Sequence, residues 1–141
     1  MSECVIEQLV NPTEKDIAEV LNLFKEIPGR TCSAKNYLAY LDYGWRANIA
    51  VFVVRKDDKI VGFTQATVPG LLDPESAWLP FSHSTNECGT KNAKAALKLA
   101  ENWMRDHGAK RYKVDTIRNP EAFARAWNMT LSKEVRMEKE L

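Results

Sequence analysis

The run Cys88-Gly89-Thr90-Lys91-Asn92-Ala93-Lys94 places a polar turn with a glycine and two lysines directly before an amphipathic stretch. The first turn of a helix presents N–H groups without intrahelical acceptors and carries a partial positive charge, so such a turn is a ready site for an anion, a phosphate included. Lys91 and Lys94 fall where a cation opposes the helix dipole, and a bound polyanion would account for that placement. The competing reading is an ordinary polar helix start with solvated lysines. Just upstream, Ser82-His83-Ser84 holds one of two histidines, a side chain able to take a proton near neutral pH, directly or through a water. Its competing reading is a half-buried strand histidine bonded to a neighbour. Glu75 and Glu87 are weaker base candidates, since loop carboxylates are common. Cys88 stands where a helix start and lysines can lower a thiol pKa. No His with Asn or Asp can be read around it, and a small loop residue is the plainer reading. His107, before Gly108, reads as a partner for a helix C-terminus.

The elements that must hold these residues follow from periodicity. Cys4 to Leu9 alternates as a first strand, and Asn11-Pro12-Thr13 supplies cap and first-turn chemistry for a helix with Ile17, Val20, Leu21 and Phe24 on one face. Ser33 caps a second helix carrying Tyr37, Leu38 and Leu41, with Gly44 as its stop. Ile49–Arg55 and Ile60–Val68 are β-branched and aromatic around the polar turn Lys56-Asp57-Asp58-Lys59, which predicts an antiparallel hairpin. Ala77–Ser84 reads as a strand in which Pro80 removes a donor and forces an edge or a bulge. From about Ala93 to His107 the residues Ala96, Leu97, Ala100, Trp103 and Met104 form a buried stripe, with Lys91, Lys94, Lys98, Glu101 and Arg105 off it. Tyr112, Val114 and Thr116 line a further strand, Pro120 starts a last helix, and Val135 with Met137 alternates into a closing strand. The class is α+β.

This layout resembles that of the GNAT (GCN5-related) N-acetyltransferases. Cys88-Gly89-Thr90-Lys91-Asn92-Ala93 occupies the place of that family's [Gln/Arg]-x-x-Gly-x-[Gly/Ala] pyrophosphate loop. Leu97, Trp103 and His107-Gly108-Ala109-Lys110-Arg111 look like its long helix and exit, and Asn119-Pro120-Glu121-Ala122 looks like the start of its last helix. The resemblance implies one GNAT-like domain over residues 1–141, with a mixed, mostly antiparallel sheet flanked by helices. It implies transfer of an acetyl group from acetyl-CoA to an amine acceptor, small molecule or protein, without a metal. The strand carrying Pro80 would be splayed from its neighbour, with the pantetheine arm in the opening and backbone donors polarising the thioester. Cofactor contacts would come from Ser84, Thr85, Cys88, Gly89, Thr90, Lys91, Asn92, Ala93, Lys94, Asn119 and Trp127. His83 would be the candidate catalytic base, and Tyr37, Tyr40 and Tyr43 lie on the helix that borders the acceptor cleft.

The sequence also departs from the family pattern. Cys88 replaces Gln or Arg, Lys91 replaces the central glycine, and Ala126 stands where a tyrosine acid is common, with Trp127 beside it. A side chain in place of a glycine can obstruct close approach of a ligand. These departures keep open a second reading, a GNAT-fold binding or structural protein with little or no catalysis, of the kind some bacteriophages encode.

Length and composition bound both readings. A chain of 141 residues with 45% hydrophobic and 28% charged residues suits one globular domain. The net charge of +1 gives no electrostatic footprint for nucleic acid. No apolar run approaches the ~20 residues of a membrane span, and the start lacks a secretion signal, so a cytoplasmic location is expected. Cys4, Cys32 and Cys88 are odd in number and widely spaced, which suggests reduced thiols rather than disulfides or a zinc site. A homodimer through the final strand is compatible with the fold.

Overall fold

The computed structural model describes residues 3–30, 32–44, 48–68, 75–115, 120–132 and 137–141. Five strands form one sheet in sequence order: β1 (Cys4–Gln8), β2 (Ile49–Lys56), β3 (Lys59–Thr67), β4 (Ser76–Ser84) and β5 (Arg111–Lys113). The first four pair antiparallel and β5 runs parallel to β4. Helices α1 (Glu14–Lys25), α2 (Ala34–Gly44), α3 (Thr90–Asp106) and α4 (Pro120–Trp127) complete the α+β architecture.

Strict alternation on β2 sends its side chains to two cores. Ile49, Val51 and Val53 face α1 and α2, while Ala50 and Phe52 join Ala100 and Met104 of α3, and Val54 joins Ala96. A period-two pattern with apolar residues on both faces requires a cover on each side, and the helices supply it. The expected hairpin is present. Its turn uses Asp57 and Asp58, both at positive φ (52° and 64°), the arrangement whose twist suits two-residue hairpins and which Asp tolerates better than most residues.

Helix α1 starts as its sequence predicts, with a reciprocal capping box between Thr13 and Asp16. Its buried face differs from the expected one: Val20, Leu23 and Phe24 are buried with Asp16, while Leu21 is only half-buried. The shift arises because Asp16 turns inward to Arg55 of β2 at 2.8 Å, and Arg55 also holds Glu7 of β1 at 2.7 Å. The Ser33 hydroxyl accepts the Asn36 N–H at the start of α2, and α2 ends at Gly44. Tyr37 stacks on Phe24 with ring centroids 4.1 Å apart, joining the two helices into one wall. Burial pushes the Tyr37 hydroxyl pKa far above its ordinary value, so Tyr37 is a core residue, and Tyr40 is 37% exposed. The side chain of Tyr43 lies outside the described residues, as does Trp45.

Helix α3 buries Ala96, Ala100 and Met104, with Leu97 and Trp103 half-buried beside them. The expected closing strand falls partly on residues 133–136, outside the described residues, and 137–141 carry no strand. Among the described residues no helix is long and apolar enough to cross a membrane.

Candidate active site

Among the described residues, strands β4 and β5 pair at Ser76 with Arg111, Ala77 with Tyr112 and Trp78 with Lys113, and no pairing is seen beyond Trp78. Beyond Trp78 the β3–β4 register slips between Gln65 and Thr67, whose partners are Phe81 and Trp78, so β4 carries one extra residue at Leu79-Pro80. This is the bulge that Pro80 predicts, and it bends β4 away from β5. The Thr85 N–H donates to the Val61 carbonyl at 2.9 Å, which makes Phe63 with His83 and Gln65 with Phe81 the hydrogen-bonded pairs of the ladder. By that parity the N–H groups of Ser82 and Ser84 point away from β3, into the opening. A cleft of about 620 Å³ runs along this edge, from Ala93 of α3 and Trp127 of α4 to the loop Ile27–Arg30 after α1.

At the α3 end, Gly89 is the N-cap with φ 78° and ψ 150°, a conformation essentially restricted to glycine. No side chain caps the helix and no acidic residue occupies its first turn. The Ala93 N–H donates to the Gly89 carbonyl, whereas Thr90, Lys91 and Asn92 supply the first-turn N–H groups that have no helical acceptor. Asn92 donates its side-chain amide to the Cys88 carbonyl at 2.8 Å and braces the turn. Lys91 is exposed at the second helical position, so the glycine that the backbone demands here is Gly89. The Lys94 ammonium lies 5.9 Å from the centre of the Trp127 ring and ties α3 to α4.

Of the residues singled out from the sequence, His83, Ser84, Cys88, Ala93 and Trp127 line the cleft. Gly89, Thr90 and Lys91 form the adjoining helix start. Thr85 turns to β3, where its hydroxyl also donates to the Val61 carbonyl. Asn119 lies outside the described residues. Glu75 accepts the N–H groups of Lys110 and Arg111 and pairs with their side chains, at the closed end of β4 and β5. His107 caps α3 through Nδ1 against the Trp103 carbonyl at 2.8 Å.

Cys88 is buried, and burial raises its thiol pKa. The lysines nearby do not turn it into a thiolate. Its sulfur sits over Gly62 of β3, where an added methyl would meet Cys88 Sγ at 3.0 Å and the Ser84 Cβ at 3.1 Å. A glycine inside a β-branched strand is the sequence signal for such a contact, since it marks close approach of another segment.

At the other end, His83 Nε2 lies 3.0 Å from Glu26 Oε2 at the C-cap of α1, with the imidazole 16% exposed. A carboxylate accepts only, so a neutral imidazole in this contact carries its proton on Nε2 and keeps Nδ1 as the basic nitrogen. Phe81, two residues before His83, meets the Phe24 ring edge-on at 5.0 Å. Arg30 lies over the outer face of Phe24 at 5.2 Å and donates to the Cys32 carbonyl at 2.7 Å. Among the described residues no cluster of three His, Cys, Asp or Glu side chains could hold a metal ion.

No known protein family and no curated protein matches the sequence. Solved structures do match the fold. The aminoglycoside N-acetyltransferase AAC(6')-Iy bound to the bisubstrate analogue CoA-S-monomethyl-acetylneamine superposes with a TM-score of 0.76 at 16% identity, over 99% of both chains. A GNAT family acetyltransferase from Staphylococcus aureus gives 0.69 at 14% identity over the full length of each. A transcriptional regulator from Bacillus halodurans gives 0.73 at 14% identity, over 99% of this chain and 100% of that one. At such identities the likeness is one of fold, and one fold carries several roles.

Proposed function

We propose that this chain, whose fold is that of the acyl-CoA N-acyltransferases, moves an acetyl group from acetyl-CoA to an amine. The observation that carries the reading is the bulged edge of β4, unpaired beyond Trp78 among the described residues, together with a helix start that no side chain caps. The diphosphate of the cofactor would take the first-turn N–H groups of α3, with Lys91 and Lys94 beside it. The pantetheine arm would follow the edge of β4, where N–H groups of Ser82 and Ser84 are available to the thioester oxygen. That neighbours of similar fold are solved with CoA or a CoA analogue adds support.

In the proposed reaction the amine nitrogen attacks the thioester carbon. The new C–N bond forms as the C–S bond breaks, and sulfur departs as the thiolate of CoA. The amine surrenders its proton to Nδ1 of His83, held in place by Glu26, and water protonates the thiolate. The position of the common tyrosine acid is Ala126, and no hydroxyl stands there.

Calorimetric titration with acetyl-CoA tests the reading. Binding at micromolar to submillimolar concentration, competition by CoA and a raised melting temperature are expected. No binding and no thermal shift at millimolar ligand would sink it. Binding without thiol release across a panel of amines would favour a cofactor-binding protein, the reading that Lys91 and Ala126 keep open. His83→Ala should slow turnover roughly a hundredfold while leaving acetyl-CoA affinity nearly unchanged.

A further inference from the structure

The end of the cleft away from α3 has a recognition group that the acyl-transfer reading does not use. Arg30 lines the cleft and is half-buried. Its guanidinium is fixed from below by the Phe24 ring and on one side by the Cys32 carbonyl. Among the described residues no carboxylate forms an ion pair with it. A guanidinium partly withdrawn from water without an anionic partner is costly, and its fork geometry matches a carboxylate. The carboxylate nearest in sequence, Glu26, is engaged with His83 on β4. Among the described lining residues the one carboxylate is Asp115, which follows β5.

The lining of the same cleft includes large apolar side chains. Ile27, Pro28, Trp78 and Phe81 line it, and Trp78 is 44% exposed although it is the largest side chain of β4. A polycationic acceptor would meet a fixed cation here instead of an acidic pocket. An acceptor with one amine, one carboxylate and an apolar body would meet complementary groups throughout.

We infer that the acceptor is amino-acid-like: a small primary amine that carries a carboxylate, with the carboxylate received by Arg30 and the amine presented at His83. The inference rests on the acyl-transfer reading and specifies its second substrate. The step conserves atoms and charge as written above: the amine proton goes to His83, the acetyl group to nitrogen and the electron pair of the C–S bond to sulfur. The carboxylate takes no part in bond making and only positions the amine.

Thiol release from acetyl-CoA should be measured with free apolar amino acids, each compared with its own amide, and with the aminoglycoside sisomicin. The expected result is a kcat/KM for the acid roughly ten- to a hundredfold above that for the amide, the range of one charge-assisted contact. Arg30→Gln should collapse that ratio toward one, and Arg30→Lys should restore part of it. Because these kinetics depend on folding, acetyl-CoA affinity is measured on each variant and should match the parent. A preference for sisomicin or for the amides overturns the inference, as does a ratio that survives Arg30→Gln. Failure of any apolar amino acid to bind the CoA-saturated protein, read as a thermal shift, also overturns it. Absence of acetyl-CoA binding itself would instead remove the underlying acyl-transfer reading, so the two failures are distinguishable.

Discussion

The sheet is built in two manners on either side of β3. Toward β2 every residue from Ile49 to Thr67 except the bulged Val61 is paired or turned, the side chains away from the turn are buried on both faces, and Arg55 bolts the strand to Asp16 and Glu7. Toward β5 the strand β4 keeps a partner for three residues, then bulges, and among the described residues its outer edge has no further partner. Charged groups on the first side, Arg55, Asp16 and Glu7, find partners inside the protein, while the Gln65 Oε1 and the Tyr37 hydroxyl are buried without one. On the second the Ser82 and Ser84 N–H groups, the first turn of α3 and Arg30 face a cleft. The difference teaches where ligand chemistry is available: backbone donors of β4, the first turn of α3 and Arg30 come together around one cleft.

If that division is real, changes on the closed side should cost stability without touching ligand affinity. Ile60→Ala, which empties a fully buried position of β3, should lower unfolding free energy by about 2–5 kcal/mol in denaturant titrations. Acetyl-CoA affinity of the folded protein should stay within twofold of the parent. A large affinity loss would erase the contrast.

Asp16→Asn sharpens the same side. The Arg55 guanidinium, then the Thr13 N–H and hydroxyl contacts, hold the Asp16 carboxyl below its ordinary range against the opposing effect of burial. A carboxyl with a depressed folded pKa contributes stability above its unfolded value, about 3.9, and loses it as pH falls through the folded one. The parent should therefore lose stability on acidification below about pH 4, and the variant should show a shallower acid limb. At neutral pH the variant should be less stable by about 1.5–3 kcal/mol, the range for a hydrogen bond to a charged group. An unchanged acid limb in pH-dependent thermal melts would show that the ion pair is idle.

Gly62→Ala sits on the border between the two regions. The added methyl presses on Cys88 and Ser84, so a loss of about 1–3 kcal/mol is expected from overpacking. Here affinity for acetyl-CoA should fall as well, because the displaced atoms belong to the turn that leads to α3. Unaltered affinity would place the cofactor elsewhere.

The smallest effect belongs to Lys91. Removing an exposed cation by Lys91→Ala should weaken acetyl-CoA binding a few-fold, less than ~1 kcal/mol, and the effect should shrink with added salt. Lys91→Gly loses the same charge and adds backbone freedom, so it should bind no more tightly than Lys91→Ala. Tighter binding than the parent would show that the lysine crowds the site.

How much of this was legible in the chain depends on range. The hairpin β2–β3 could be read because β-branched alternation and an Asp-Asp turn are local signals, and the bulge of β4 because Pro80 cannot donate. The stripe on α3 gave that helix and its burial. Periodicity places its start near Ala93 and the helix begins at Thr90, since a glycine N-cap carries no side-chain signature. The acceptor end was not legible. Glu26 meets His83 across 57 residues of sequence, and Arg30 gains meaning only once Phe24, stacked on Tyr37 and met edge-on by Phe81, lies beneath it. Such contacts depend on how α1 lies on the sheet, which no spacing encodes.

Cys88 bears on redox chemistry. The proposed reaction releases a free thiol at each turnover, and a thiolate in the cleft wall would trade with oxidised CoA to form a mixed disulfide, which would block the cleft. Packed against Gly62 and held protonated by burial, the Cys88 sulfur offers little nucleophile to that exchange. Cys4 and Cys32 are more accessible and should take up a thiol-directed alkylating reagent first, leaving the cleft thiol as the slow site.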